Sequence, residues 1–245
     1  MRAGCAVPRV AEEPVLAIRG RDVAVTAAVL ALTAVAFAVV ADHGILAHIQ
    51  RADDWWLRIM VSGRTAPVTV VAKVFNWLGL VYVTLPVRIA IAGFLVLRRR
   101  WWHLAAFAAA VVLSEILIGL LKGVYDRARP PGSLVATSGA SFPSGHSVAA
   151  TVTVVAAVIA LVPPGPRRVA WGTAAAAFSV LMALSRAYLG AHWLSDALAG
   201  VLLGASCALL AALAVSVLQR RWGAHRPDRS AHPPVPDTAR PADRR

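Results

Sequence analysis

The chain has 245 residues, 58% of them hydrophobic and only 15% charged, with a formal net charge of +13. Soluble domains run near half apolar and a quarter charged, so the composition excludes an ordinary soluble domain and points to lipid as the solvent. Nor does the charge describe a nucleic-acid binder: most arginines stand in short clusters beside apolar runs, and no recognition helix or aromatic-interleaved basic stripe occurs.

Residues 1–21 read as a basic tail carrying Arg2, Arg9, Arg19 and Arg21, and Asp22 as the cap of a first span over Val23–Ala41. Ala36-Phe37-Ala38 could pass for a signal-peptidase site. The long polar region before it and the apolar run on to Ala41 favour an uncleaved anchor. Between 42 and 66, Ile45, Leu46, Ile49, Ala52, Trp56, Ile59 and Met60 recur at helical spacing, with Arg51, Asp53, Asp54 and Arg58 mostly opposite. That pattern predicts a short amphipathic helix lying on the membrane surface, with Trp55 and Trp56 at headgroup depth.

From Pro67 the apolar run is longer than one span needs. It reads as a half-buried approach helix to Trp77, a break near Gly79 and a second span over Leu80–Leu97, where Pro86 can introduce a kink. Arg98–Arg100 stop that span, Trp101-Trp102 anchor a third to Leu121, and an irregular segment follows from Gly123 to Phe142. A fourth span runs from Gly145 to Val162, a fifth from Val169 to Tyr188 and a sixth from Leu194 to Leu218. The expected architecture is thus an all-α integral membrane protein of six spans, 22–219. A disordered Arg/Pro-rich tail, 220–245, follows. Cys5 in the first tail and Cys207 in the last span are not expected to pair, and no internal repeat is present.

The cations orient the bundle. The N-terminal tail, Arg98–Arg100, Arg167-Arg168 and the C-terminal tail alternate along the chain with the remaining polar loops, and they hold 16 of the 25 Lys and Arg. Excess positive charge marks the cytoplasmic side, so both termini are expected in the cytoplasm and the intervening polar islands on the outer face of the plasma membrane.

Those islands are Lys122 with Arg129-Pro130; Pro143-Ser144-Gly145-His146; and Ser185-Arg186 with His192 and Asp196. Together they supply three fixed cations, a helix N-terminus, two imidazoles and one carboxylate, which is what holding and attacking a phosphate dianion requires. His192 and Asp196 are four apart, so a helix would stack them. A carboxylate accepting the Nδ1 proton then leaves Nε2 bare. Ser144 suits an N-cap, and Gly145 lets an anion approach the backbone at the helix head. Taken singly, each island has a plainer meaning: a capping Asp beside an interfacial His, a capped helix start, or cations drawn to headgroups.

Together the three stretches resemble the signature of the type 2 phosphatidic acid phosphatase family, whose relatives include vanadium-dependent haloperoxidases. The likeness covers about residues 70 to 215 and neither tail. It implies a lipid phosphatase in which His192 attacks phosphorus and Asp196 orients it. His146 would protonate the leaving oxygen, and Lys122, Arg129, Arg186, Ser144 and Gly145 would bind the phosphate. Arg127 lies outside the family's fixed positions and reads as a lipid-facing cation, and Asp126 has no assigned role.

No carboxylate cluster has metal-ligand spacing, so no metal or other cofactor is expected, and His43, His48 and His103 read as incidental interfacial residues. The expected partner is a lipid phosphate from the bilayer, undecaprenyl diphosphate first. Phosphatidate, phosphatidylglycerol phosphate and diacylglycerol pyrophosphate stay open, as does the oligomeric state. A non-hydrolytic carrier or flippase would need only the cations. A soluble vanadate-dependent peroxidase is at odds with six spans. Arg88 and Glu115, at equal depth in adjacent antiparallel spans, are expected to pair, because a lone charge there costs at least about 2.5 kcal/mol.

Overall fold

The computed structural model describes residues 13–224, which form eight α-helices and no strand. The first twelve residues, Cys5 among them, and the Arg/Pro-rich segment 225–245 lie outside the described residues. Helix α1 (Gly20–Ala41) starts ahead of the apolar run: Asp22 is its third residue, and its carboxylate accepts the Arg19 N–H at 3.0 Å. Asp42 caps α2 (His43–Ser62) through the Ile45 N–H at 2.9 Å.

Helix α3 (Ala66–Leu78) and α4 (Val81–Leu97) meet at the expected break beside Gly79, bent by 53°. Pro86 lies inside α4, which continues through it. After a tight turn at Arg98–Arg100, α5 (Trp101–Tyr125) extends a turn beyond the expected Leu121, so Lys122 is helical and the chain leaves the helix at Asp126, φ +24°. Helices α6 (Gly145–Leu161), α7 (Pro166–Tyr188) and α8 (Leu194–Ala224) follow.

Among the described residues four helices, α1, α5, α7 and α8, are long and apolar enough to cross a membrane. The bent pair α3–α4 passes the same test as one broken span, and α6 is apolar but shorter. The described residues are therefore those of an all-helical, multi-pass membrane protein. Its core lies where α5, α6 and α8 meet, around Phe107, Val148, Val152, Leu203 and Cys207. A Cβ on Gly200 would lie 2.8 Å from the Ser144 carbonyl oxygen, and one on Gly204 2.7 Å from that of Val148. Small residues here let the two helices touch backbone to backbone, which fixes the head of α6 against the first turns of α8.

Two elements depart from their expected roles. Part of the segment read as a tail is packed: Val15 and Leu16 are buried, the Leu16 N–H donates to Ser216 Oγ at 3.0 Å and Arg168 donates to the Val15 carbonyl at 3.0 Å. In α2 the face turned to the protein is not the apolar stripe. Leu46 and Met60 pack inward, but between them Gln50 and Asp53 make buried polar contacts, while Ile45, Trp55 and Ile59 are exposed. His103 is buried within the bundle rather than interfacial.

Spans α4 and α5 pair as their charge depths require. Arg88 Nη1 donates to Glu115 Oε1 at 2.7 Å, and the same guanidinium reaches Thr153 Oγ1 at 2.9 Å and the Ala149 carbonyl at 3.3 Å on α6.

Candidate active site

Three helix ends and two loops converge on one cavity of about 190 Å³. Lys122 enters from the last turn of α5, Arg186 from the last turn of α7, and His146 from the first turn of α6. Arg129 comes from the loop after α5 and His192 from the short connection between α7 and α8. Gly145 and the backbone of 136–138 complete the lining. A Cβ on Gly145 would meet nothing within 4 Å, so the head of α6, where the first N–H groups have no intrahelical acceptor, is open beside the cavity that Gly145 lines.

Arg129 is held rigidly. Its Nε donates to the Gly139 carbonyl at 2.9 Å, Nη2 to Ser138 at 2.8 Å and Ala140 at 3.1 Å, and Nη1 to Ala191 at 2.6 Å. Nη1 also lies 3.2 Å from His192 Nε2. These contacts occupy all five N–H groups of the guanidinium, which fixes its plane and its positive charge beside that nitrogen. Lys122 Nζ reaches the Ala140 carbonyl at 3.4 Å. Arg186 is bound by the side chain of Asn76 at the end of α3, and its Nε has no protein partner.

His192 is 3% exposed. Its Nδ1 lies 2.7 Å from the Ser141 carbonyl. A carbonyl can only accept, so Nδ1 carries the proton and Nε2 keeps its lone pair, which accepts from Arg129 Nη1 at 3.2 Å. Burial, joined by the Arg186 and Arg129 charges, pushes the imidazole well below the usual histidine range against the opposing pull of Ser141, so it is neutral at physiological pH.

This arrangement corrects the expected His192–Asp196 stacking. Helix α8 begins at Leu194, so His192 precedes it and no helical turn joins the two. Asp196, 0% exposed, instead accepts from Ser141 Oγ at 2.5 Å and from the Trp193 N–H at 3.1 Å. Its influence on His192 runs through Ser141. Ser144 also differs from expectation: it occupies the N-cap position of α6 but its side chain caps no N–H, and instead accepts from Ser147 Oγ at 3.1 Å. Its own N–H donates to the Asp196 carbonyl at 3.2 Å, tying the α6 head to α8.

His146 Nε2 is buried without a protein partner. Its ring lies against Gly79 at the α3–α4 break, where a Cβ would come within 2.6 Å of His146 Cδ2. The break thus leaves room for the imidazole. Four contributors lie outside the expected site residues: Ser141, Asn76, Gly79 and the buried Arg127. Asn76 could have been noticed as a lone amide in an apolar run, and Ser141 as the neighbour of the second island. Arg127 was read as lipid-facing, but its guanidinium bonds Asp196 Oδ1 at 2.5 Å.

A family model, PAP2 superfamily, matches residues 101–222, about half of the chain. Lipid A 1-phosphatase of Rhizobium johnstonii is 37% identical over 46% of this chain and 48% of its own length. Phosphatidylglycerophosphatase B of Bacillus subtilis is 29% identical over 64% of this chain and 79% of its own. The chain spans about half the length of the lipid A 1-phosphatases it matches. Among solved structures, a transmembrane PAP2-type phosphatidylglycerolphosphate phosphatase from Bacillus subtilis superposes with TM-score 0.67 at 25% identity, covering 82% of this chain and 98% of that one. Aquifex aeolicus LpxE shares the fold at TM-score 0.53 and 23% identity, over 63% and 91% of the two chains.

Proposed function

We propose that this chain, which belongs to the PAP2 superfamily, is a membrane lipid phosphatase that works through a phosphohistidine at His192. The observation that carries this reading is the convergence of Lys122, Arg129, Arg186, His146 and His192 on one small cavity, with His192 Nε2 unprotonated beside Arg129 Nη1. A carrier needs the cations alone. Two imidazoles, one of them tied through Ser141 to a buried carboxylate, serve bond cleavage.

In the proposed reaction the three cations and the α6 N–H groups hold the phosphoryl oxygens, whose charge shifts in the transition state. With the phosphate dianion bound among the cations and His146 protonated beside it, His192 Nε2 attacks phosphorus, the P–O bond to the lipid breaks, and His146 gives that proton to the departing oxygen. Water then attacks the phosphohistidine and His146 takes up a proton. The P–N bond breaks, which returns His192 neutral and releases inorganic phosphate. Asp196 acts behind His192 by holding Ser141.

Six spans follow if α6 crosses with the others: α1, the bent α3–α4 pair, α5, α6, α7 and α8. Trp101, Trp171 and Trp222, beside the Arg clusters at the ends of α5, α7 and α8, are exposed, and so is Trp55 on α2, as aromatic belts require. With the Arg clusters inside, the cavity opens at the outer face of the plasma membrane and α2 lies along that surface. The catalytic domain is 22–219.

An outward-facing site served by cations and an apolar surround suits undecaprenyl diphosphate, whose hydrolysis leaves the lipid monophosphate. Phosphatidylglycerol phosphate is the second reading, favoured by the likeness that covers 98% of the Bacillus phosphatase chain. The test is phosphate release by purified protein from a panel of lipid phosphates and diphosphates in EDTA, with and without vanadate. Release in EDTA that vanadate blocks supports the reading, because five-coordinate vanadate mimics the transferring phosphoryl group. Binding of the lipids with no release makes the protein a carrier. Loss in EDTA restored by magnesium overturns the metal-independent mechanism.

A further inference from the structure

Behind the cavity lies a second polar layer that the phosphate chemistry does not use. Arg127, in the loop after α5, is forked between two acidic residues. Its Nη1 donates to Asp196 Oδ1 at 2.5 Å, and its Nη2 to Asp53 Oδ2 at 2.8 Å and Gln50 Oε1 at 2.7 Å. Asp53, from α2, is 4% exposed, and Arg127 is buried. Asp53 also accepts the Ser195 N–H at 3.0 Å and Ser195 Oγ at 2.5 Å. It therefore does for the head of α8 what an N-cap residue does, from another helix. Arg127 Nη1 reaches Ser195 Oγ as well, at 2.8 Å, and its guanidinium lies 5.7 Å from the Trp193 ring.

A structural ion pair would need one carboxylate. Here one guanidinium serves two, and one of them is the carboxylate that holds Ser141. We infer that Arg127 and Asp53 are positioning residues for the proposed phosphatase: Arg127 grips the Asp196 carboxylate and fixes its rotamer, Asp53 holds Arg127 in place, and through Ser141 they orient His192. The chain of contact runs Asp53, Arg127, Asp196, Ser141, His192, and each link is a hydrogen bond between different elements. Helix α2 thereby becomes a working part of the site, although none of its residues lines the cavity.

The inference rests on the phosphatase reading, and its test separates the two. Removing Arg127 takes the cation from between two buried carboxylates, and a like charge near Asp196 disfavours its ionised form. Asp196 then needs a higher pH to ionise. The groups around it are Arg127 and Arg129 from the loop after α5, Asp53 from α2, and Ser141 and His192 from the loops before α6 and α8. Phosphate release is measured against pH for wild type, Arg127→Gln, Asp53→Asn and the double variant, each shown to elute as monodisperse protein.

Arg127→Gln should lose about 100-fold in kcat/KM at neutral pH, the scale set by misplacing a reacting group by an ångström. Its activity should recover as pH rises. Asp53→Asn keeps the Arg127–Asp196 pair and should lose far less. The double variant should outperform Arg127→Gln, because removing one negative charge relieves the other. A double variant that is worse than Arg127→Gln, or an Arg127→Gln profile with the wild-type pH dependence, makes the network structural and overturns the inference. If Arg127→Gln fails to fold, Arg127→Lys carries the test: it keeps the charge but loses the fork, so it should lose activity without an alkaline shift, and unchanged activity refutes positioning. Wild type that releases no phosphate from any lipid removes the phosphatase reading and this inference with it, whereas an active wild type beside unaffected variants removes the inference alone.

Discussion

Replacing Glu115 or Arg88 by Gln probes the ion pair two turns beneath the cavity. The two ends are not equivalent. Arg88 has an 11% exposed side chain and bonds Glu115 on α5 as well as Thr153 and Ala149 on α6, whereas Glu115 is 53% exposed and has Arg88 as its ionic partner. Glu115→Gln leaves Arg88 with two neutral acceptors and should cost about 1.5 kcal/mol, in the range for removing one partner of a hydrogen-bonded charge. Arg88→Gln also releases α6 and strands a carboxylate at membrane depth, so about 2.5 kcal/mol is expected. At about 2–4 °C per kcal/mol for a chain of this size, the expected losses in melting temperature are about 3–6 °C and 5–10 °C. The double variant should lose less than their sum by about 1 kcal/mol, the size of a direct coupling. Thermal unfolding in detergent of all four proteins reads the cycle. Strictly additive losses, or a Glu115 variant that is the less stable single, would refute the pairing. Glu115 lies seven residues before Lys122, about 10.5 Å along α5, so both singles should also raise KM through Lys122.

Further outcomes follow from the cavity. Gly79→Ala places a methyl against His146 Cδ2 and should cut lipid phosphate turnover at least about tenfold, whereas Gly93→Ala, whose Cβ meets nothing within 4 Å, should not; equal effects on turnover would mean that room for His146 is not what Gly79 provides. His146→Ala should hydrolyse p-nitrophenyl phosphate much better than a lipid phosphate, because a good leaving group needs no proton, and equal losses on both substrates would remove His146 as the acid. Cysteines placed at Ser133 and Ser138 should react with an impermeant thiol reagent in whole cells and one at Pro164 should not; the reverse pattern puts the cavity in the cytoplasm.

The sequence is most informative where chemistry needs fixed residue types at fixed spacing. The three islands do meet in one cavity, and the α3–α4 break falls beside Gly79. The Arg88–Glu115 pair was legible for a different reason: two isolated charges at matched depth in antiparallel neighbours have few other partners. What misled was local periodicity. The four-residue spacing of His192 and Asp196 suggests a shared helix, yet α8 starts after His192, and Ser141, far away in sequence, comes between them. Asp53 lies on the charged side of an amphipathic pattern, which normally means solvent. Its burial depends on Arg127 and Ser195, whose approach only the tertiary fold determines. Ser144 has the right residue type and position for a cap, but its backbone and side chain serve Asp196 and Ser147 instead.

The measurement that bears most directly on the central claim is rapid-quench labelling with a ³²P lipid phosphate in EDTA, quenched in alkali and mapped by peptide. The account predicts label on the peptide containing His192, stable to base and labile to acid, and absent from His192→Ala. Label that persists in His192→Ala, or that maps to a carboxylate, would contradict it.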